Sequence, residues 1–250
     1  MTDGNGGTGL PASIELAWGL RTRPTKGPKP GLSLDRIVTA GVRVASAEGL
    51  AAVSMGRIAK ELGATAMSLY RHVAAKDELL ALMVDAAFGP PPTIGAHDWR
   101  AALTEWAWAH LGALRAHPWV LHVQLSGYPA TPNQIGWLER GLAAMRDTGL
   151  AEHEKLSVIM LLIALARAQA GLSDPLNARL ADSGMTETEA GRVYTQLLRT
   201  VTNGETYPAI TAFLDSGALD RPDAPDAEFV FGLERVLDGV AALTHVRRKR

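Results

Sequence analysis

An all-α fold is predicted for this chain of 250 residues, and three observations predict it. Apolar residues recur at helical spacing in every periodic segment. Strict strand-like alternation is missing. Serines at helix starts and glycines at helix ends bracket the first segments. The expected architecture is an N-terminal three-helix head containing a helix-turn-helix, a connecting helix and a larger C-terminal helical bundle. Three prolines at 90–92 mark the boundary. The expected division is a flexible segment over 1–31, a head over 32–90 and a body over 91–250.

Residues 1–12 are rich in Gly, Thr and Asn and are expected to lack order. "SIELAWGL", 13–20, has room for one or two helical turns with Ser13 as cap. "RTRPTKGPKPGLS", 21–33, holds three prolines and two glycines before its end and reads as a basic arm. The first full helix opens at Ser33, repeats Leu34, Ile37, Val38, Val42 and Ala45 on one side, and stops at Gly49. Ser54 caps a second helix with Met55, Ile58, Ala59 and Leu62 as its stripe, and Gly63 stops it. "ATAMSLYRHV" forms a third, anchored by Leu69 and Val73. "KDELLALMVDAAFG" forms a fourth, ending at Gly89. In the body, helices are expected over 98–116, 118–127, 132–148, 153–172, 186–202, 207–216 and 226–246.

Composition narrows the class. With no cysteine, disulfides, thiolate metal sites and cysteine nucleophiles are excluded. The N-terminus lacks the basic start and apolar run of a secretory signal. The longest nearly apolar run, "LSVIMLLIALA" at 156–166, is too short to span a bilayer, so a cytoplasmic protein without a membrane partner is expected. Charge is uneven. Residues 21–76 carry ten Lys and Arg against three Asp and Glu, a net of +7, although the chain as a whole is −1. A basic module on an acidic body points to a polyanionic partner for the first part alone; a solvated basic face is the plainer alternative.

The stretch "SMGRIAKELGATAMSLYRHV" explains the charge. Two short helices joined by a tight Gly-containing turn make a helix-turn-helix, whose second helix enters the DNA major groove. That groove is about 12 Å wide, so the entering helix must carry small side chains at its start. Thr65, Ala66 and Ser68 are small; Ala66 and Met67 suit a thymine methyl; Tyr70, Arg71 and His72 stand near the phosphates. Lys76 with the amides of the next helix start offers a further phosphate site. The run A-x-x-L-G-x5-L-Y-x-H-V-x-x-K-x-x-L appears here as Ala59, Leu62, Gly63, Leu69, Tyr70, His72, Val73, Lys76 and Leu79. On these residues the head resembles that of the TetR family of transcriptional regulators. The resemblance implies that Thr65, Ala66, Met67 and Tyr70 face base edges and that Ser68, Arg71, His72 and Lys76 hold phosphates. Many relatives carry Arg at the place of Gly56, which has no side chain to reach DNA; Arg57 is the candidate substitute. The arm cations Arg21, Arg23, Lys26 and Lys29 resemble N-terminal extensions that lie along a minor groove. A tail of merely non-specific attraction is the alternative.

The body resembles the regulatory domain of tetracycline-repressor-like members, which implies a homodimer enclosing a small organic effector. Five of six tryptophans and four of seven histidines fall between 97 and 137. Trp106, His110, His117, His122 and Trp137, with Met160, are the candidate lining of a ligand pocket. A core with hydrogen-bonded histidines is the alternative. Phe229, Leu233, Val236, Val240 and Leu243 repeat at 4, 3, 4, 3, with Gly232 and Gly239 seven apart. With Ile159 and Ile163 they are the candidate dimer seam, or else one monomer's core. A zinc site from His110, His117 and His122 fits no known spacing. Tetracycline-type repressors use a chelated magnesium held by a His near the place of Gln124, so neither metal nor cofactor is expected.

The function implied is a repressor that binds a palindromic double-stranded DNA operator and is released by a small molecule. No nucleophile-elbow, phosphate-loop or paired-carboxylate motif supports catalysis. Two other classes remain open: an enzyme with a DNA-binding head, which turns over generic esters or nucleotides, and a nucleoid binder without sequence preference.

Overall fold

A computed structural model describes residues 9–20, 32–96, 98–124, 130–220, 224 and 226–248 of the chain. Among the described residues there are eleven α-helices and no strand. The N-terminal unit holds α1 (Ala12–Ala17), α2 (Leu34–Glu48), α3 (Met55–Leu62), α4 (Ala66–Tyr70) and α5 (Lys76–Phe88). The body holds α6 (Trp99–Ala116), α7 (Pro132–Ala144), α8 (Glu152–Ser183), α9 (Glu187–Val201), α10 (Pro208–Asp215) and α11 (Ala227–Arg248).

Local chemistry sets the head. Ser33, Ser54 and Thr65 are N-caps whose hydroxyls accept from the amides of Arg36, Arg57 and Ser68. Each satisfies a donor that the first turn leaves open. Ile37, Ile58, Leu69, Val73, Leu79 and Met83 are wholly buried and form the head's core. Gly41 lets α2 and α5 close on each other; a Cβ there would lie 2.7 Å from the Met83 sulfur.

The body is layered around α8. Ile159, Leu162 and Ala166 of α8 are fully buried, packed with Leu103, Trp106, Ala107 and Leu111 of α6 and with Phe229 and Leu237 of α11. Glu152–Leu172 of α8 is long and apolar enough to cross a membrane by length and composition, which the shorter run at 156–166 does not reveal. One of its faces nonetheless lies in this protein core. Helices α9 and α10 pack on each other and on the turn at Ala218–Asp220, leaving Val193, Tyr194, Leu197 and Val201 exposed.

Several expected elements are corrected. Ser13 does not cap α1; Pro11 holds the N-cap position, and Ile14 packs into the common core, so the N-terminal segment is anchored over α1 rather than free. Helix α4 is shorter than expected, because the amides of His72 and Val73 both turn onto the Leu69 carbonyl. The helix expected over 118–127 is a 3-10 turn, Pro118–His122, followed by extended Val123. Helix α7 stops at Ala144, followed by a 3-10 turn at Arg146–Thr148 and left-handed Gly149. Helix α8 runs eleven residues past 172.

The seam on α11 is also corrected. Phe229, Leu233 and Val240 are buried within the protomer, as is Ile159, so none of them can meet a second copy. Val236 and Ile163 are half-buried against the same core. Gly232 admits Leu165 of the chain's own α8, whose Cδ1 lies 2.7 Å from where a Cβ would stand. From Phe229 to Val240 the repeat faces the chain's own core, and Leu243, its last member, is exposed.

Candidate nucleic-acid interface

The turn of the helix-turn-helix follows from one residue. Gly63 adopts φ +62°, the left-handed region that a Cβ disfavours. Its amide donates to the Lys60 carbonyl and the Ala64 amide to the Ala59 carbonyl, closing α3 as a Schellman motif. Leu69 and Val73 then fix α4 and the turn after it to the core with no exposure. With Leu69 inward, Met67 and Tyr70 point outward at 72% and 49% exposure. Thr65, Arg71 and Lys76 are exposed as well, while Ala66, Ser68 and His72 are half-buried. The eight head residues expected to meet DNA thus lie on one short stretch, its apolar side anchored and its polar side open. The arm cations Arg21, Arg23, Lys26 and Lys29 fall outside the described residues.

Hydrogen bonding refines two roles. The Ser68 hydroxyl donates to the Thr65 carbonyl at 2.6 Å, so its proton already serves the backbone. Gripping a phosphate requires that bond to break. Thr65 Oγ1 accepts from the Ser68 amide and keeps its own proton to donate. Arg57 does not substitute for the side chain missing at Gly56. Its Nε donates to both Glu48 carboxylate oxygens, at 3.1 and 3.2 Å, and its Nη1 to Glu61 at 3.0 Å. These bonds hold the Glu48 carboxyl below its ordinary range and raise the guanidinium further. Arg43 joins through Glu61 at 3.0 Å. The network ties α2 to α3 and takes Arg57 out of base reading.

At the start of α5, Ala75 provides no side-chain cap, and Glu78 in the first turn accepts from the Ala74 amide at 3.4 Å. Lys76 is exposed at this helix end, where an anion is favoured by the amides and the macrodipole.

The far end of α5 is locked into the body by residues that sequence reasoning does not single out. Asp85 is buried, and its carboxylate accepts from Asn133 Nδ2 and from the Gln134 amide, both at 3.0 Å. Asn133 also donates to the Asp85 carbonyl. The signal that points to them is an acid within the apolar run from Leu79 to Phe88, with an Asn inside the first turn of a later helix. Trp137 Nε1 donates to the Gly89 carbonyl, and Trp106 Nε1 to the Trp137 carbonyl.

This locking redefines the expected ligand lining. Trp106, His110 and Trp137 do come together, but around Phe88, the last residue of α5. The His110 ring lies 4.9 Å from Phe88, 5.1 Å from Trp106 and 5.6 Å from Trp137. They form a packed junction. His110 is 7% exposed, its Nδ1 has no hydrogen-bond partner, and burial, with the charge of Arg167, lowers its pKa to about 4. His117 is the C-cap of α6, two turns beyond His110, and lies by Trp119 of the 3-10 turn, at 6.2 Å between rings. His117 Nδ1 and Trp119 Nε1 are buried without hydrogen-bond partners. Arg167 of α8 donates to the Leu121 carbonyl beside them. His122 and Met160 are exposed and do not join this junction. Among the described residues no three His, Asp or Glu side chains gather as metal ligands.

A helix-turn-helix with an open reading side, borne on a larger helical body, defines a DNA-binding protein. Residues 37–83 match the family model "Bacterial regulatory proteins, tetR family", and residues 91–244 match "Tetracyclin repressor-like, C-terminal domain". The chain belongs to the TetR family and is a DNA-binding transcriptional regulator. It is 36% identical to the HTH-type transcriptional repressor DrrR1 of Streptomyces coeruleorubidus, across 99% of this chain and 91% of that one. An HTH-type transcriptional regulator of Saccharopolyspora erythraea is 33% identical over 52% of this chain and 56% of its own. In structure the chain is similar to apo ActR of Streptomyces coelicolor, with TM-score 0.68 and 26% identity over 86% of this chain and 98% of ActR. ActR in complex with actinorhodin gives TM-score 0.67 at 27% identity, over 86% and 97%.

Proposed function

We propose that this chain is a cytoplasmic, homodimeric repressor that binds a palindromic operator and is released by a small aromatic effector. The observation that carries the DNA part is the arrangement at α4: Leu69 and Val73 anchored, Met67 and Tyr70 open, Lys76 at the next helix start. Met67 and Tyr70, with Thr65 and Ala66, read base edges; Arg71, His72 and Lys76 hold phosphates; Ser68 serves mainly to shape the turn. The cations Arg21, Arg23, Lys26 and Lys29 add sequence-independent attraction along the neighbouring backbone.

The dimer uses surface that the protomer leaves uncovered. On α8, Leu156, Met160, Leu161, Ala164, Ala168 and Leu172 form an exposed stripe of apolar and small residues. Val230, Phe231 and Leu243 of α11 are exposed likewise. A twofold axis pairing these helices with their copies buries both sets, since a large exposed apolar patch is costly in water.

The effector reading is supported by the complexes of ActR with actinorhodin and with (S)-DNPA. In this chain the buried, unpartnered His117 Nδ1 and Trp119 Nε1 mark where an oxygen-bearing ring would gain hydrogen bonds. Displacement there reaches the head through Arg167, the 3-10 turn and the Phe88–His110–Trp137 junction that ends α5.

Selection of bound DNA from a random library by the full chain tests the reading. An inverted repeat with half-sites about one helical turn apart, or a multiple, is expected. Binding without sequence preference would favour a nucleoid binder, and turnover of generic esters or nucleotides an enzyme.

A further inference from the structure

Helix α1 lies outside both stretches matched by the family models, which begin at residues 37 and 91. It has six residues, too few to hold helical form unaided in water. It is helical because it is docked. Ile14 is 5% exposed within the common core, and Leu10 and Leu16 pack against the same cluster.

Two polar attachments, one in α1 and one at its C-cap, reach different parts of the molecule. Ser13, 2% exposed, donates its hydroxyl to Glu78 Oε2 at 2.6 Å. Glu78 stands in the first turn of α5, two residues from Lys76, and the same oxygen accepts from the Ala74 amide. Trp18 sits just after α1, and its Nε1 donates to the Ala130 carbonyl at 2.7 Å. Ala130 precedes Thr131, the N-cap of α7, and Asn133 and Gln134 just beyond are the residues that clamp Asp85. The C-terminal half of α5 is therefore fixed to the body by Asp85 and Gly89. Its N-terminal end is reached by α1.

We infer that α1 is a strap, held by Ser13 at the phosphate-gripping end of α5 and by Trp18 at the entry of α7, that restrains the head against the body. The inference rests on the DNA-binding reading above and adds to it two positioning residues, neither of which touches DNA. A restrained head loses less conformational freedom on binding an operator whose two half-sites are at fixed spacing. The strap acts only while both ends hold, so breaking either end abolishes it.

The test uses the full chain and the operator obtained by selection, with Ser13→Ala, Trp18→Phe and the double variant. Phe keeps most of the ring and loses only the donor, at a site 41% exposed, so folding is retained. If Ser13→Ala does not fold, Ser13→Cys takes its place, since a thiol is a weak donor. Each single variant is expected to lose roughly threefold to tenfold in operator affinity. The double variant is expected to lose no more than the weaker single. Salt slope and preferred sequence stay unchanged, because no phosphate or base contact is removed. Losses that multiply in the double variant would mean two independent local effects and overturn the strap, since unlinked sites add in free energy. Unchanged affinity in both singles, or a changed salt slope, would overturn it as well. A wild-type chain that selects no operator would instead overturn the DNA-binding reading itself.

Discussion

At the scale of the residue, two side chains show how place decides role. Lys76 is exposed at a helix start, so the contribution to DNA binding proposed for it is electrostatic and indifferent to sequence. Lys76→Ala should weaken all operators alike and lower the slope of log affinity against log salt by about one per subunit. Met67→Ala should instead alter which bases are preferred. A preference changed by Lys76→Ala with the salt slope intact would reverse these assignments. His110 carries a second expectation. Burial holds its pKa down to about 4, whereas an unfolded imidazole titrates near 6.5. The unfolded chain therefore binds more protons between those values. The stability this site contributes is fully present above pH 6.5 and is lost as pH falls toward 4, about 3 kcal/mol across the window. Urea unfolding at several pH values should show that loss, and His110→Phe should flatten it. The same slope in the variant would place the acid sensitivity elsewhere.

At the scale of the element, the head is legible in the sequence and parts of the body are not. Ser33, Ser54, Gly49, Gly63 and Gly89 each stand where the sequence places a start or stop, because caps and left-handed stops are local chemistry. Gly63 gives a direct check. A Cβ there meets no neighbouring atom, so the cost of Gly63→Ala is backbone conformation alone, about 1 kcal/mol. Thermal unfolding should register that loss, with Gly63→Asn milder; no loss would deny Gly63 its role in the turn. Residues 118–127 mislead because "PWVLHVQL" has helical apolar spacing, yet Pro118 starts only a 3-10 turn and Val123 is extended. Spacing makes Leu69 and Val73 anchors of one helix. They are buried as expected, although α4 ends between them.

At the scale of the whole molecule, the repeat on α11 is instructive. Phe229, Leu233 and Val240 have the spacing of a helix–helix seam, and spacing does not say whose helix is the partner. The chain's own α8 occupies that side. The dimer surface proposed here is the stripe left open on α8, and the two assignments separate by experiment. Leu161→Glu should shift sedimentation toward the monomer with little loss in the unfolding free energy of the protomer. Phe229→Ala should cost about 3–5 kcal/mol of protomer stability, as expected for emptying a core aromatic site. A Leu161→Glu protein that remains dimeric would move the interface off this stripe.

What the sequence determined by itself is whatever short-range physics controls: the all-helical class, the caps and stops of the head, the anchored and exposed sides of the stretch from Thr65 to Lys76, and the concentration of positive charge over 21–76. Each depends on residues within about one helical turn of one another, or on composition. Only the tertiary structure decided the rest. It turned Trp106, His110 and Trp137 from expected lining into the junction around Phe88. It gave Arg57 to Glu48 and Glu61 rather than to bases. It set Ser13 on Glu78 and Trp18 on Ala130, joining positions 65 and 112 residues apart. Such pairings follow from how helices pack against one another, and periodicity along a single helix states which side is buried without naming what buries it.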